Sequence, residues 1–202
     1  MDYQILNKSP DVATAVVPHA LDINGRAVPV GSSTGASVLP VGSAAYASVV
    51  SLMRPADTSV YAANDVMGAA TGGSAALQFS GIAPVAGGEV ILTTTQLEID
   101  TNAIPAGMAG FRLYLYSSMP PSALGDNAAW DLPAGDRGAF LGYVDLGAPV
   151  DLGSTLYVEA LQINKQVTAP AGGALFGYLV TTGAFTPASG TVHKITLHAA
   201  GF

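Results

Sequence analysis

Cysteine is absent from this chain of 202 residues. That excludes disulfide staples and thiolate metal sites. Charge is scarce as well, at 10% of residues, where an average globular chain carries about 25%. The surface must then be built from Ser, Thr, Asn, Gly, Ala and backbone. Such a surface suits a protein packed in an assembly better than one free at high concentration. Positive charge is rarest: Lys+Arg 7 against Asp+Glu 14 leaves a formal net charge of −7. No basic patch is present, so direct nucleic-acid contact is not expected. No apolar run approaches the ~20 residues of a membrane helix, so no membrane partner is expected. The opening MDYQILNKSP has neither a basic nor an apolar signal region, so no secretory signal is expected. Tryptophan occurs once, at Trp130.

What is present is a β pattern centred on Phe111 to Gly147. Phe111, Leu113 and Leu115 alternate with Arg112, Tyr114 and Tyr116, the two-residue period of a strand with one buried face. Phe140 to Val144 forms a second β-type run. Between them lies a loop of about twenty residues with Pro120, Pro121, Trp130 and three spaced aspartates. Loops of that length in a compact domain are usually functional or interaction surfaces.

Around this pair the sequence predicts strands at Tyr46–Leu52, Leu77–Phe79, Glu89–Asp100, Ser154–Leu161, Leu175–Thr182 and Thr191–His198. The alternation in Glu89–Asp100 changes phase, which predicts a bulge or bend. Leu175–Thr182 is almost continuously apolar and reads as a central strand. Thr168–Gly173 reads as a loop, and Arg54–Thr58 as a turn. Short strands separated by Gly, Pro, Asn and Asp, with almost no helical period, predict an all-β fold. The expected form is an antiparallel two-sheet β-sandwich, jelly-roll-like. Residues 1–45 differ in texture: Pro18, Pro29 and Pro40 cut short apolar pieces such as Ala15-Val16-Val17. We read 1–45 as an extended N-terminal arm and 46–202 as the β-sandwich domain. Tyr3, Ile5 and Leu6 are the arm's first apolar anchors for a partner, and Trp130 is the loop's.

Chemistry-bearing constellations are few. Asp126, Asp131 and Asp136 lie five apart on the loop, but not at the spacing of a calcium loop. Asp in such places commonly caps its own turn. His19, His193 and His198 lack helical metal-site spacing, and the last two fall on opposite faces of one strand. They read as surface or rim histidines, and no metal is expected. There is no G-x-S-x-G elbow among the serines, so no catalytic residue is assigned and the chain is not read as an enzyme. Gly72-Gly73 and Gly172-Gly173 lack the following Lys of a phosphate loop, and no cofactor is expected. Trp130 with Met119, Tyr114, Tyr116 and Phe140 could form a sugar platform, a protein contact, or a cover folded back over the sandwich edge.

Ser51-Leu52-Met53-Arg54-Pro55-Ala56-Asp57-Thr58, followed by Tyr61-Ala62-Ala63-Asn64-Asp65-Val66-Met67-Gly68, resembles a group of tailed-bacteriophage virion structural proteins. The resemblance continues through Leu77–Phe79, Ile82–Pro84, Phe111–Tyr116, Asp136-Arg137, Phe140–Val144 and Leu175–Thr181, covering roughly residues 50–198. It implies a particle component and transfers no catalytic residue. The reading that follows is a capsid decoration (cement) protein that binds the outer face of the head and bridges major capsid proteins. It would be made in the host cytoplasm, sit on the capsid surface, and self-associate as a homotrimer. The alternative is a head-fibre or tail module that recognises a host-surface glycan.

Overall fold

Leucine, valine and aromatic side chains at alternate positions give strands whose inner faces meet in one core. The computed structural model describes residues 19–21, 27–29, 44–69 and 73–201. The chain divides into two units, Met1–Gly42 and Ser43–Phe202. In the first, β1 (His19–Leu21) pairs antiparallel with β2 (Ala27–Pro29). Tyr3, Ile5 and Leu6, the anchors read from sequence, lie outside the described residues.

The second unit is an all-β sandwich of two antiparallel sheets. Its strands are β3 (Ala44–Met53), β4 (Val66–Met67), β5 (Leu77–Phe79), β6 (Gly88–Ile99), β7 (Phe111–Tyr116) and β8 (Phe140–Gly147). They continue with β9 (Val150–Asp151), β10 (Leu156–Ala160), β11 (Lys165–Ala169), β12 (Leu175–Thr181) and β13 (Val192–Gly201). The larger sheet runs β3-β13-β6-β10-β9, with β11 also on β6. The smaller runs β4-β12-β7-β8, with β5 also on β12. Leaving aside the two-residue β4 and β9, and β11, which lies on β6 beyond β10, the sheets are β3-β13-β6-β10 and β5-β12-β7-β8. Every connection between consecutive main strands crosses from one sheet to the other, except the β7–β8 hairpin. First strand beside last and second beside next-to-last is the order of a jelly roll, a closed pair of Greek keys.

The interior is mostly apolar, with Thr95 and His193 among its few polar side chains. Leu52, Phe79, Val90, Leu92, Leu97, Ile99, Phe111, Leu113, Leu115, Leu179, Ile195 and Leu197 belong to one cluster between the sheets. Strand β6 shows how the sequence sets this up. Val90 and Leu92 face inward, and so do Thr95, Leu97 and Ile99. The parity changes because the pairing with β13 skips Thr93, the bulge that the phase change predicts. The Thr93 carbonyl accepts the Ile163 N–H, so the bulge anchors the break between β10 and β11.

Two expectations need correction here. Thr168 and Ala169 are strand, not loop. Only Val167 and Ala169 of that strand turn inward, too few to register as alternation. Strand β7 has two buried faces, not one: Tyr114 and Tyr116, opposite the core-facing residues, are buried as well. The reason lies in the loop that follows.

Candidate functional site

The loop between β7 and β8 folds back over the outer face of the smaller sheet. Its neck closes where the Ser117 N–H donates to the Ala139 carbonyl at 2.8 Å. Beneath it, Val66, Tyr114, Tyr116, Tyr178 and Val180 form a second apolar cluster, packed by Leu124, Trp130, Leu132 and Phe140. The Trp130 ring stacks on Tyr114 at 3.8 Å between centroids, and Tyr143 meets the same tyrosine at 5.4 Å. Tyr143 is half-exposed and carries the Arg112 guanidinium over its ring at 5.4 Å. Arg112 in turn lies 3.5 Å from Asp145. A row of aromatic rings thus runs from the buried sheet face to the surface. Burial pushes the Tyr116 hydroxyl, which has no hydrogen-bond partner among the described residues, up to about 12.

The far side of the loop is held by a buried polar node. The Arg54 side chain is fully enclosed. Its Nε donates to Tyr61 Oη at 2.5 Å, and that hydroxyl donates to Asp126 Oδ1 at 2.5 Å. Asp126 Oδ1 also accepts the Gly68 N–H at 2.7 Å, and Arg54 Nη2 stands 3.8 Å from Asp126 Oδ2. Arg54 Nη1 donates to the Ala188 carbonyl at 3.1 Å. Burial raises the Tyr61 hydroxyl far above its ordinary value, with Asp126 reinforcing the shift. Backbone bonds complete the dock: Val66 N–H to Ala128, Asn127 N–H to Val66, and Trp130 N–H to Asn64. Asn64 adopts a positive φ of 70°, which turns its carbonyl toward the loop.

The stretch Arg54–Gly68, whose residues carry the sequence resemblance, is therefore the cradle of the loop that holds Trp130. In the sequence Arg54 stands in a predicted turn and in the stretch that carries the resemblance, with nothing to mark it as buried. Its partner Asp126 is 72 positions away (126 − 54), and no local pattern links the two. An arginine and a tyrosine close together in an almost uncharged chain were the available signal.

The remaining sequence candidates separate. Asp126 and Asp136 are buried with different partners, the latter accepting the Ser122 N–H at 3.3 Å. Asp131 is exposed and caps the adjacent Leu132 N–H. No group of three His, Asp or Glu among the described residues could hold a metal. His193 is not a surface residue: it is 1% exposed, facing the core from β13, while His198 lies half-buried on the opposite face. Burial and the neighbouring Arg54 push His193 down to about 4, so the ring is neutral at ordinary pH.

No family model matches the chain, and no curated protein matches it. Among solved structures the chain is similar to chains of virus particles. One is from the cryo-EM structure of rhinovirus-B5, at 12% identity and TM-score 0.28, over 100% of this chain and 86% of that one. A second is from the heated full particle of Israeli acute paralysis virus, at 14% and 0.28, over 99% and 88%. A third is from maize chlorotic mottle virus, at 9% and 0.26, over 80% and 92%. Scores this low fall short of a common fold.

Proposed function

We propose that this chain is a structural component of a tailed-bacteriophage virion, a decoration protein bound to the outside of the head. It bridges adjacent major capsid proteins and so resists the pressure of packaged DNA. The observation that carries this reading is the jelly-roll strand order in a chain with only 10% charged residues. That architecture recurs in viral capsid domains, and the sparse charge favours life in an assembly. Fold alone does not fix function; the resemblance of Ser51–Thr58 and Tyr61–Gly68 to phage virion proteins supports the choice. The N-terminal arm, read from sequence as 1–45 although Ala44 and Ala45 belong to β3, acts as the tether, with Tyr3, Ile5 and Leu6 as anchors and Trp130 as the contact of the loop. The chain self-associates at symmetry axes of the shell, for which a trimer is the simplest arrangement, and performs no catalysis.

The test is binding of the full chain to purified undecorated heads, followed by cryo-EM at saturation. Density repeating on the shell lattice is the expected result. Failure to bind heads, or density confined to a tail or fibre, would overturn it.

A second reading has one observation in its favour. Jelly rolls also occur in lectins, and the row Trp130–Tyr114–Tyr143 reaches the surface beside Arg112 and Asp145. Stacked aromatic rings next to polar groups suit a sugar. A glycan screen distinguishes the two: binding that is lost in Tyr143→Ala favours host recognition.

A further inference from the structure

Strand β3 forms one rim of the larger sheet and pairs with β13 over its ten residues, Ala44 against Gly201 through Met53 against Val192. Among the described residues nothing pairs with its outer rim. The other rims are blunted in the usual ways. Strand β9 is two residues long and ends in Asp151, and β4 and β5 are two and three residues. Strand β8 carries Asp145, shifts register twice against β7, and holds Gly142 at φ 90°. Short length, charge and bulges are what keep sheet edges from pairing with other chains. Strand β3 has none of these. No Asp, Glu, Lys or Arg occurs between Arg26 and Arg54.

The backbone geometry says which groups are on offer. The Arg54 N–H donates to Thr191 O, and the Asp100 N–H donates to Val192 O. Bonded and non-bonded pairs alternate along antiparallel strands. Even-numbered residues of β3 therefore bond to β13, and Ala45, Ala47, Val49, Ser51 and Met53 direct their N–H and C=O groups to the open rim. The same five side chains lie on the exposed face of the sheet, with Val49 at 55% and Met53 at 62% exposure.

We propose that β3 pairs antiparallel with β3 of a second copy of this chain, about a two-fold axis through Val49. In that register Ala45 meets the second copy's Met53, Ala47 meets Ser51, and Val49 meets Val49. Each small side chain faces a larger or equal one and no charge faces another. On the inner side Tyr46 meets Leu52 and Ser48 meets Val50. Roughly ten backbone hydrogen bonds form, two for each of the bonded pairs. The two larger sheets become one continuous sheet, and the interface is isologous, so it joins copies two by two through a surface separate from the trimer contact proposed above. The proposal goes beyond the particle-binding reading and is measured without heads, so either can fail alone.

Sedimentation velocity over a dilution series of the full chain is the test. A monomer–dimer equilibrium is expected, weakened roughly tenfold or more in Val49→Lys, where two like charges meet across the axis. The exposed position of Val49 leaves folding intact, to be checked by circular dichroism. Mixing Val49→Lys with Val49→Glu should restore the dimer. Because the chain has no native cysteine, oxidation of Val49→Cys should yield a covalent dimer. The bonded pair brings the Cα atoms to about 5.5 Å, within disulfide reach. Ala45→Cys should cross-link only when mixed with Met53→Cys. A monomer at every concentration, an oligomer indifferent to Val49→Lys, or equal cross-linking of Ala45→Cys alone would each overturn the proposal.

Discussion

Trp130 lies almost flat on Tyr114, with ring centroids 3.8 Å apart and planes 21° apart. One residue belongs to the long loop and the other to the middle of a strand. Their contact turns the solvent side of the smaller sheet into a second apolar layer. Loops lie on the surface and are commonly mobile; this one is held at its neck, at Asp126 and at Trp130.

Removing the ring should release the loop. Trp130→Ala is expected to cost about 2–4 kcal/mol, below the full value for a buried Trp because the residue is only partly enclosed. Urea unfolding followed by circular dichroism measures it. Limited trypsin digestion gives a local readout, since Arg137 is exposed on the same loop. Cleavage there should accelerate in Trp130→Ala while the sandwich stays intact. A loop equally resistant without Trp130 would show that the Arg54 node alone suffices to hold it.

That node sets the second expectation. Asp126→Ala takes from the enclosed Arg54 guanidinium its buried counter-charge, leaving only the part-exposed Asp57 at 3.5 Å, and removes the acceptor of Tyr61 and of the Gly68 N–H. Breaking a buried pair in this way costs about 3–5 kcal/mol. Tyr61→Phe keeps both charges and loses only the bridging hydroxyl, for about 1–2 kcal/mol. A double-mutant cycle on Arg54 and Asp126 should give a coupling of about 1–3 kcal/mol. Additive effects would mean that the 3.8 Å contact between them carries no energy.

Much of the fold was legible because the inner faces alternate cleanly. Strand β12 read as central, and it pairs with β7 on one side and with β4 and β5 on the other. The bulge in β6 read from its broken parity. The second apolar layer was not legible. Tyr114 and Tyr116 are amphipathic, and alternation cannot show whether such rings meet water or a loop. Asp126 and His193 were misread for a related reason. A polar residue carries no mark of burial: the partners of Asp126 come from the distant segment Arg54–Gly68, and His193 is buried with Nδ1 unpartnered. The anchors Tyr3, Ile5 and Leu6 remain part of the proposal, since they fall outside the described residues.

His193 makes stability depend on pH. Its ring titrates near 4 in the folded chain, because of burial first and the charge of Arg54 second, and near 6.5 when unfolded. Between these values the unfolded state binds the extra proton, so stability rises with pH. The folded state is at full strength above about pH 6.5. It loses roughly 3 kcal/mol as pH falls to 4, and below that this residue adds no further slope. Urea midpoints measured from pH 7 to pH 4 should show the decline, and His193→Gln should flatten it. An unchanged slope in that variant would assign the acid sensitivity to other groups.

One substitution is expected to stabilise. Thr95 is fully buried on β6, and its Oγ1 has no hydrogen-bond partner. Thr95→Val keeps the branched shape and removes the desolvated hydroxyl, for a gain of about 1–2 kcal/mol. A rise in the urea midpoint with an unchanged slope is the expected sign. Destabilisation would show that the hydroxyl is satisfied in solution, for instance by a buried water.

The last expectation separates folding from attachment. The second unit, Ser43–Phe202, is compact by itself, with buried residues from Ser48 to Gly201. The first described strand of that unit begins at Ala44. Tolerance of truncation follows from the burial and bonding of what is removed, not from its position in the sequence. Deleting residues 1–42 should therefore leave circular dichroism and the urea midpoint of the sandwich within about 0.5 kcal/mol of the full chain. If the segment is the tether, the same deletion should abolish binding to undecorated heads. Loss of binding with folding retained would assign attachment to the N-terminal unit. A shortened chain that still saturates heads would move the attachment to the sandwich, with the loop at Trp130 the first surface to mutate.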